Sequence, residues 1–142
     1  MKPHILVPID FSDASERALA WAADLARTTG GSVHLLHVVP LVPAAAPVVT
    51  AWVMPSATDL RELEGTMQRL AAKYDSSAVA HAVVAEDVAA EVVRASREGG
   101  TSLIVMATHG RGGVKRAVLG SVADYVARHA DVPVVTVRGK TP

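Results

Sequence analysis

The sequence predicts a single doubly wound α/β domain over residues 1–142, with a five-stranded, mainly parallel sheet and four helices. Two observations support this fold class. Strand-like and helix-like segments alternate along the chain, and the strand-like segments are almost continuously apolar, which is typical of parallel strands covered on both faces. The length of 142 residues, half of them hydrophobic and a fifth charged, is that of one globular domain.

The chain begins with a strand that leads into a helix. Residues 4–9 (HILVPI) are apolar, and candidate helix caps follow at Asp10, Ser12 and Asp13. From 13 to 28, one helical face carries apolar residues that we expect in the core, namely Ala18, Trp21, Ala22 and Leu25. Two glycines, Gly30 and Gly31, end this helix, and the run SVHLLHVV predicts a second strand.

A proline-rich segment separates the second strand from the second helix. Residues 40–55 contain four prolines, no charged residue and Trp52. Such a segment is predicted to cover a ligand or to form a dimer contact, and the alternative is a disordered loop. Ser56 or Thr58 can cap the following helix. The apolar face of this helix is expected to consist of Leu60, Leu63, Met67, Leu70 and Tyr74.

The second half of the chain repeats the alternation of strands and helices. Strands are predicted at 77–84 (SAVAHAVV), at 102–109 (SLIVMATH) and at 132–138 (VPVVTVR). Helices are predicted at 87–100, with Gly99 and Gly100 at its end, and around 121–129.

Composition excludes several classes of function. Lys and Arg together number 14, as do Asp and Glu, and this balance argues against nucleic acid or an anionic membrane as the main partner. The absence of cysteine rules out disulfides, thiolate metal sites and a catalytic thiol. His34 and His37 are three residues apart on a strand and face opposite sides, so they cannot form a shared metal site. The start of the chain lacks a signal-peptide pattern, so we expect a cytoplasmic protein.

A glycine-rich segment follows the fourth strand, where doubly wound sheets bind ligands. The segment ATHGRGGVKRAVLGS, residues 107–121, fits neither the Walker A pattern nor the dinucleotide fingerprint, because Lys115 stands where the latter needs its third glycine. Its own spacing places Ala107 at the strand end, Gly110 three residues later, and Gly120-Ser121 at the start of a helix. Such a helix start favours an anion, and glycines that adopt positive φ let backbone N–H groups point into one concavity.

This spacing resembles that of the universal stress proteins, whose nucleotide-binding members carry G-x2-G-x9-G-[ST] after the fourth strand and V-P-x-D at the end of the first. The chain has Val7-Pro8-Ile9-Asp10 and then Ala107-x2-Gly110-x9-Gly120-Ser121, and the likeness extends through LLHVV, LGSVADYV and PVVTV. The resemblance implies an adenine nucleotide alpha hydrolase-like fold that binds ATP, with Mg²⁺ held through the phosphates. It further implies a homodimer that pairs through residues 132–138 and acts in signalling or stress survival.

Carried over residue by residue, the resemblance gives a set of nucleotide-binding positions. Pro8, Ile9 and Asp10 would border the adenosine, Val38 would close on the adenine, and Gly110, Gly120, Ser121 and Val122 would hold the phosphates. Arg111 and Gly113 belong to the same loop, and Lys115 and Arg116 add positive charge. Ala107 replaces the first glycine of the motif, so its methyl group is expected to crowd the ribose.

Other interpretations of these residues stay open. Asp10, Ser12 and Ser121 can serve as helix caps, and the three basic residues of the loop can be solvated charges. The alternatives in function are a slow ATPase or phosphoryl transferase that uses the same pocket, and a dimeric interaction protein whose pocket is empty. His109 lies beside the glycine segment and can line the pocket, but the sequence offers no carboxylate partner that would make it a general base.

Overall fold

The computed structural model of the protein describes residues 2–41, 54–109 and 119–139. Gly110, Arg111, Gly113, Lys115 and Arg116, together with most of segment 40–55, lie outside the described residues, so their predicted roles stay predictions.

Within the described residues, nine elements follow one another in strict alternation. The strands are β1 (His4–Pro8), β2 (Ser32–Pro40), β3 (Val79–Ala85), β4 (Leu103–Ala107) and β5 (Val134–Val137). The helices are α1 (Asp13–Thr29), α2 (Ala57–Ala72), α3 (Val88–Glu98) and α4 (Ser121–His129).

The five strands form one sheet in the order β3-β2-β1-β4-β5, and every neighbouring pair is parallel. The predicted five-stranded parallel sheet with four helices is therefore confirmed. Strand order reverses between β1 and β4, and such a reversal opens a crevice at the carboxyl ends of the strands.

The sheet buries one apolar layer on each face. On one face, Ile5, Val7 and Leu35 pack against α1 and α2. On the other face, Leu6 and Ile104 pack against α3 and α4. Alternate strand residues therefore face opposite layers, as they must in a sheet covered on both sides. None of the helices within the described ranges is both long and apolar enough to cross a membrane.

Side chains fix where the helices begin. The Ser12 hydroxyl accepts a hydrogen bond from the Ser15 N–H (3.2 Å) and caps α1, so Asp10 is not the cap. Ser56, rather than Thr58, caps α2 and forms a reciprocal capping box with Asp59. Hydrogen bonds from Ser56 hold the pKa of the Asp59 carboxyl below its usual value.

Two aromatic residues predicted in the core lie at the surface. Trp21 is 43% exposed, because the buried stripe of α1 runs through Ala18, Ala22 and Ala26 and Trp21 lies roughly a third of a turn from its centre. Tyr74 lies beyond the end of α2, and its hydroxyl donates to Glu16 Oε1 at 2.7 Å. In contrast, Met67 is fully buried as expected.

His34 gives the folding stability a pH dependence whose sign can be predicted. Burial, followed by the nearby His4 and His81, lowers the pKa of His34 from its ordinary value of 6.5. Below about pH 6.5 the unfolded chain therefore binds more protons at this residue than the folded chain, and stability falls as the pH decreases. We expect the urea midpoint to drop less between pH 7 and pH 5 in His34→Gln than in the wild type. An equal drop in both proteins would contradict the prediction.

Candidate functional site

A cavity of about 500 Å³ lies at the carboxyl ends of the strands, where strand order reverses. Its volume lies within the range of cavities that hold small-molecule ligands and cofactors. Among the residues predicted from sequence, every one that the structure describes lines this cavity: Pro8, Ile9, Asp10, Val38, Ala107, Gly120, Ser121 and Val122. The structure thus brings together residues from the two ends of the chain.

At the end of β1, a tight turn presents Asp10 to the cavity. One carboxylate oxygen of Asp10 accepts the Ser12 N–H at 2.9 Å, which folds the side chain back over the start of α1. The Ser15 hydroxyl, which is almost fully buried, donates to the Ser12 carbonyl (3.0 Å) and accepts a long hydrogen bond from the Asp10 N–H (3.4 Å). Asp10 is therefore a carboxylate held in a fixed direction, and a carboxylate accepts hydrogen bonds from ligand hydroxyl groups.

The start of α4 has the opposite chemical character to the Asp10 carboxylate, because it presents hydrogen-bond donors. Gly120 is the N-cap and Ser121 the first helical residue, and no side chain of a described residue makes a capping hydrogen bond there. The first intrahelical bond of α4 comes from Asp124 N–H to the Gly120 carbonyl, at 2.9 Å. The N–H groups of Ser121, Val122 and Ala123 thus lack helical partners, and all three residues line the cavity. Such a helix start favours an anion through its N–H groups and its dipole.

Residue 120 is a glycine because the neighbouring backbone leaves little room for a Cβ atom. Its φ of −60° is open to any residue, so the positive φ expected from the sequence does not occur here. Its N–H donates to the Thr108 carbonyl at 2.7 Å, and a Cβ on Gly120 would lie 3.0 Å from that same oxygen. This close approach fixes the start of α4 against the end of β4.

Between the carboxylate and the helix start, the walls are mostly apolar. Two wall residues come from β2 and one from β4, and the others come from α3 and the approach to α4: Leu36, Val38, Met106, Val88, Val92 and Leu119. Apolar walls with a few polar groups at defined points are typical of sites that bind small molecules and cofactors.

Three polar residues of the cavity were not predicted from the sequence. Ser15 and Thr108 line it, as does His37, which we considered only as a metal ligand. His109, whose place was expected, lines it too. The sequence did contain a signal for His37, because this residue directly precedes Val38 near the carboxyl end of a strand, where the cavity was expected. Within the described ranges, no group of three or more His, Asp or Glu side chains is arranged to hold a metal ion.

The fold and the cavity define a doubly wound α/β protein with a cavity at its topological switch point. Residues 1–138 match the universal stress protein family, and the chain belongs to this family. A universal stress protein of Methanocaldococcus jannaschii is 31% identical over 137 residues, covering 94% of this chain and 81% of that protein. The universal stress protein Rv2623 of Mycobacterium tuberculosis is 32% identical over 94% of this chain, which spans only 44% of that relative's length.

Solved structures share the fold. The universal stress protein UspA of Lactobacillus plantarum superposes with a TM-score of 0.74 at 21% identity, over 96% of this chain and 97% of that one. A universal stress protein of Archaeoglobus fulgidus in complex with dAMP has a TM-score of 0.66 at 23% identity, over 96% of this chain and 98% of that one. A family member of Arabidopsis thaliana with AMP bound has a TM-score of 0.63 at 17% identity, over 98% and 93% of the two chains.

Proposed function

We propose that this protein binds an adenine nucleotide, ATP above all, in the cavity at the switch point. On this proposal it acts in the cytoplasm as a homodimeric, nucleotide-dependent factor in signalling or stress survival. The observation that carries the proposal is the chemical layout of the cavity. A fixed carboxylate lies at one strand end, N–H donors without helical partners lie at the start of α4, and apolar walls lie between them.

Each part of this layout matches one part of a nucleotide. The Asp10 carboxylate can accept hydrogen bonds from ribose hydroxyl groups, as acidic residues at strand ends do in dinucleotide-binding folds. The N–H groups of Ser121, Val122 and Ala123 suit the phosphates. Leu36, Val38 and the other apolar walls suit the base. The solved structures in complex with dAMP and with AMP bound support an adenine base, since they share this fold.

Titration calorimetry tests the proposal. The protein is first unfolded and refolded to remove any nucleotide carried through purification, and it is then titrated with ATP, AMP, cyclic AMP and GTP. We expect saturable binding of adenine nucleotides with a Kd in the micromolar range or below, and weaker binding of GTP. No binding of any nucleotide at millimolar concentration would favour the alternative of an interaction protein with an empty pocket.

The same samples test whether Mg²⁺ contributes to ATP binding and whether the protein hydrolyses ATP. We propose that Mg²⁺ enters with the phosphates of ATP, so the affinity for ATP should differ between buffers with Mg²⁺ and with EDTA, and the affinity for cyclic AMP should not. Release of ADP during incubation with ATP would favour the alternative of a slow ATPase.

We further propose that two copies pair through β5. Within the described residues, β5 pairs only with β4, and it has an apolar sequence. The opposite edge of the sheet, at β3, is covered by α2. There Glu64 Oε1 accepts the Ala82 N–H at 3.0 Å, and Gln68 Nε2 donates to the Ala78 carbonyl at 2.6 Å. An apolar edge strand that no other described element covers favours pairing with another strand.

Thr136→Pro tests this pairing without touching the contact between β4 and β5. The carbonyls of Pro133 and Val137 accept hydrogen bonds from β4 and the residue that follows it, so with a period of two the N–H of Thr136 points away from β4. Proline removes this outward donor. We expect light scattering to show a dimer for the wild type and for Thr136→Val, and a monomer for Thr136→Pro. A wild-type monomer at micromolar concentration, or a dimeric Thr136→Pro, would contradict the proposal.

A further inference from the structure

The His37 side chain on β2 makes a hydrogen bond to the backbone at the end of β1. Its Nδ1 lies 2.6 Å from the carbonyl oxygen of Ile9, one residue beyond the end of β1. A carbonyl oxygen can only accept, so Nδ1 must carry the proton and donate. The Ile9 N–H in turn donates to the Leu36 carbonyl at 2.8 Å. Ile9 is therefore fixed by β2 through both its backbone groups.

The turn that follows Ile9 is strained. Phe11 has a φ of 63°, and among the described residues it is the one non-glycine with positive φ. A bulky residue adopts this conformation only where its surroundings impose it. The Phe11 ring packs against the His37 ring, with centroids 5.0 Å apart, and against the apolar layer under α1. The same imidazole thus contacts both residues that flank Asp10.

We propose that His37 is a positioning residue for the nucleotide site. By donating to the Ile9 carbonyl, it holds the strained turn that directs the Asp10 carboxylate into the cavity. This inference rests on the proposed function, since it assigns to Asp10 a contact with the nucleotide. His37 lies at the cavity wall, but its effect on binding is exerted through the turn.

Three variants distinguish the effect of losing the hydrogen bond from the effect of losing the imidazole ring and from the general effect of a substitution in β2. In His37→Asn, the side-chain amide nitrogen takes the place of Nδ1, so the donor is kept and the ring is lost. In His37→Phe, the ring is kept and the donor is lost, which leaves the Ile9 carbonyl without its partner. His34→Phe makes the same replacement three residues earlier on the same strand, on the opposite face and away from the cavity, and serves as the matched control.

Two measurements are made on each protein. The first is ATP affinity by calorimetry, and the second is amide hydrogen exchange at Ser12, whose N–H is held by the Asp10 carboxylate, in nucleotide-free protein. We expect His37→Phe to lose about tenfold in affinity and to exchange the Ser12 amide about tenfold faster, because a lost donor leaves a buried acceptor unpaired. His37→Asn and His34→Phe should stay within about threefold of the wild type in both measurements.

The outcomes distinguish this inference from the proposed function. Wild-type values in His37→Phe would overturn the inference, as would equal losses in His37→Asn and His37→Phe, since the donor would then not matter. If the wild type binds no nucleotide, the proposed function fails. In that case, fast Ser12 exchange in His37→Phe alone would still support a turn held by His37, and unchanged exchange would overturn it.

Discussion

Replacing Gly120 by valine is expected to weaken nucleotide binding by about 10- to 100-fold while the protein stays folded. A Cβ at this position would lie 3.0 Å from the Thr108 carbonyl oxygen and 3.4 Å from His109 Cα, and the two methyl groups of valine need still more room. The neighbouring backbone cannot give way without lengthening the 2.7 Å hydrogen bond between Gly120 N–H and Thr108. The start of α4 must therefore move.

That movement would take the N–H donors of Ser121 and Val122 away from the phosphates of the proposed nucleotide. The loss of one hydrogen bond to a charged group costs about 1.5–3 kcal/mol, which corresponds to the expected fall in affinity. Calorimetry on Gly120→Val, and on Gly120→Ala as the smaller step, measures the effect.

Gly65→Val is the matched control for this replacement. Gly65 lies in α2 away from the cavity, and among the described residues a Cβ there would meet only Arg69 Nη1, at an ordinary 3.6 Å. The Gly65→Val protein should bind nucleotide with wild-type affinity. Wild-type affinity in folded Gly120→Val would mean that the start of α4 does not hold the ligand.

The largest effect on stability is expected from Gly31→Ala, at about 2–4 kcal/mol. A Cβ on Gly31 would lie 2.5 Å from the Pro3 carbonyl oxygen and 2.8 Å from Pro3 Cγ. That oxygen accepts the Ser32 N–H at 2.9 Å, a bond at the start of the register between β1 and β2. The alanine must therefore break a hydrogen bond or displace a rigid proline, and overpacking of this kind costs about 1–3 kcal/mol before the lost bond is added.

Urea unfolding of Gly31→Ala should be compared with Gly100→Ala. Gly100 has a φ of 63°, and a Cβ added to it would meet no atom of the described part of the chain within 4 Å. Alanine at this position is therefore expected to cost only the backbone strain, about 1–2 kcal/mol. If Gly31→Ala costs no more than Gly100→Ala, the steric explanation for Gly31 is wrong.

Much of the fold could be predicted because its signals are local. The apolar runs that became β1 and β2, and the Ser12 and Ser56 caps, depend on neighbours within a few residues. The position of the cavity also followed from a general rule, since alternating elements imply a parallel sheet and a crevice at its carboxyl ends. The predicted residues that are described, from Pro8 to Val122, accordingly lie together.

The features that could not be predicted depend on contacts between distant segments. Trp21 has helical spacing that suits the core, but which side of α1 is buried depends on how the helix lies on the sheet. Gly31 and Gly120 both follow from the approach of a distant backbone, and the sequence indicates only that a glycine is present. The bond from His37 to Ile9 joins residues 28 apart, and the positive φ of Phe11 has no local signal.

The central claim, that the cavity at the switch point holds an adenine nucleotide, is tested most directly by NMR titration of ¹⁵N-labelled protein with AMP and ATP. We expect the largest amide shift changes at Asp10, Val38, Ala107, Ser121 and Val122. Residues at the amino ends of the strands, such as His4 and Ser102, should not shift. Saturable changes confined to the far end of the sheet, or no changes at millimolar nucleotide, would contradict the claim.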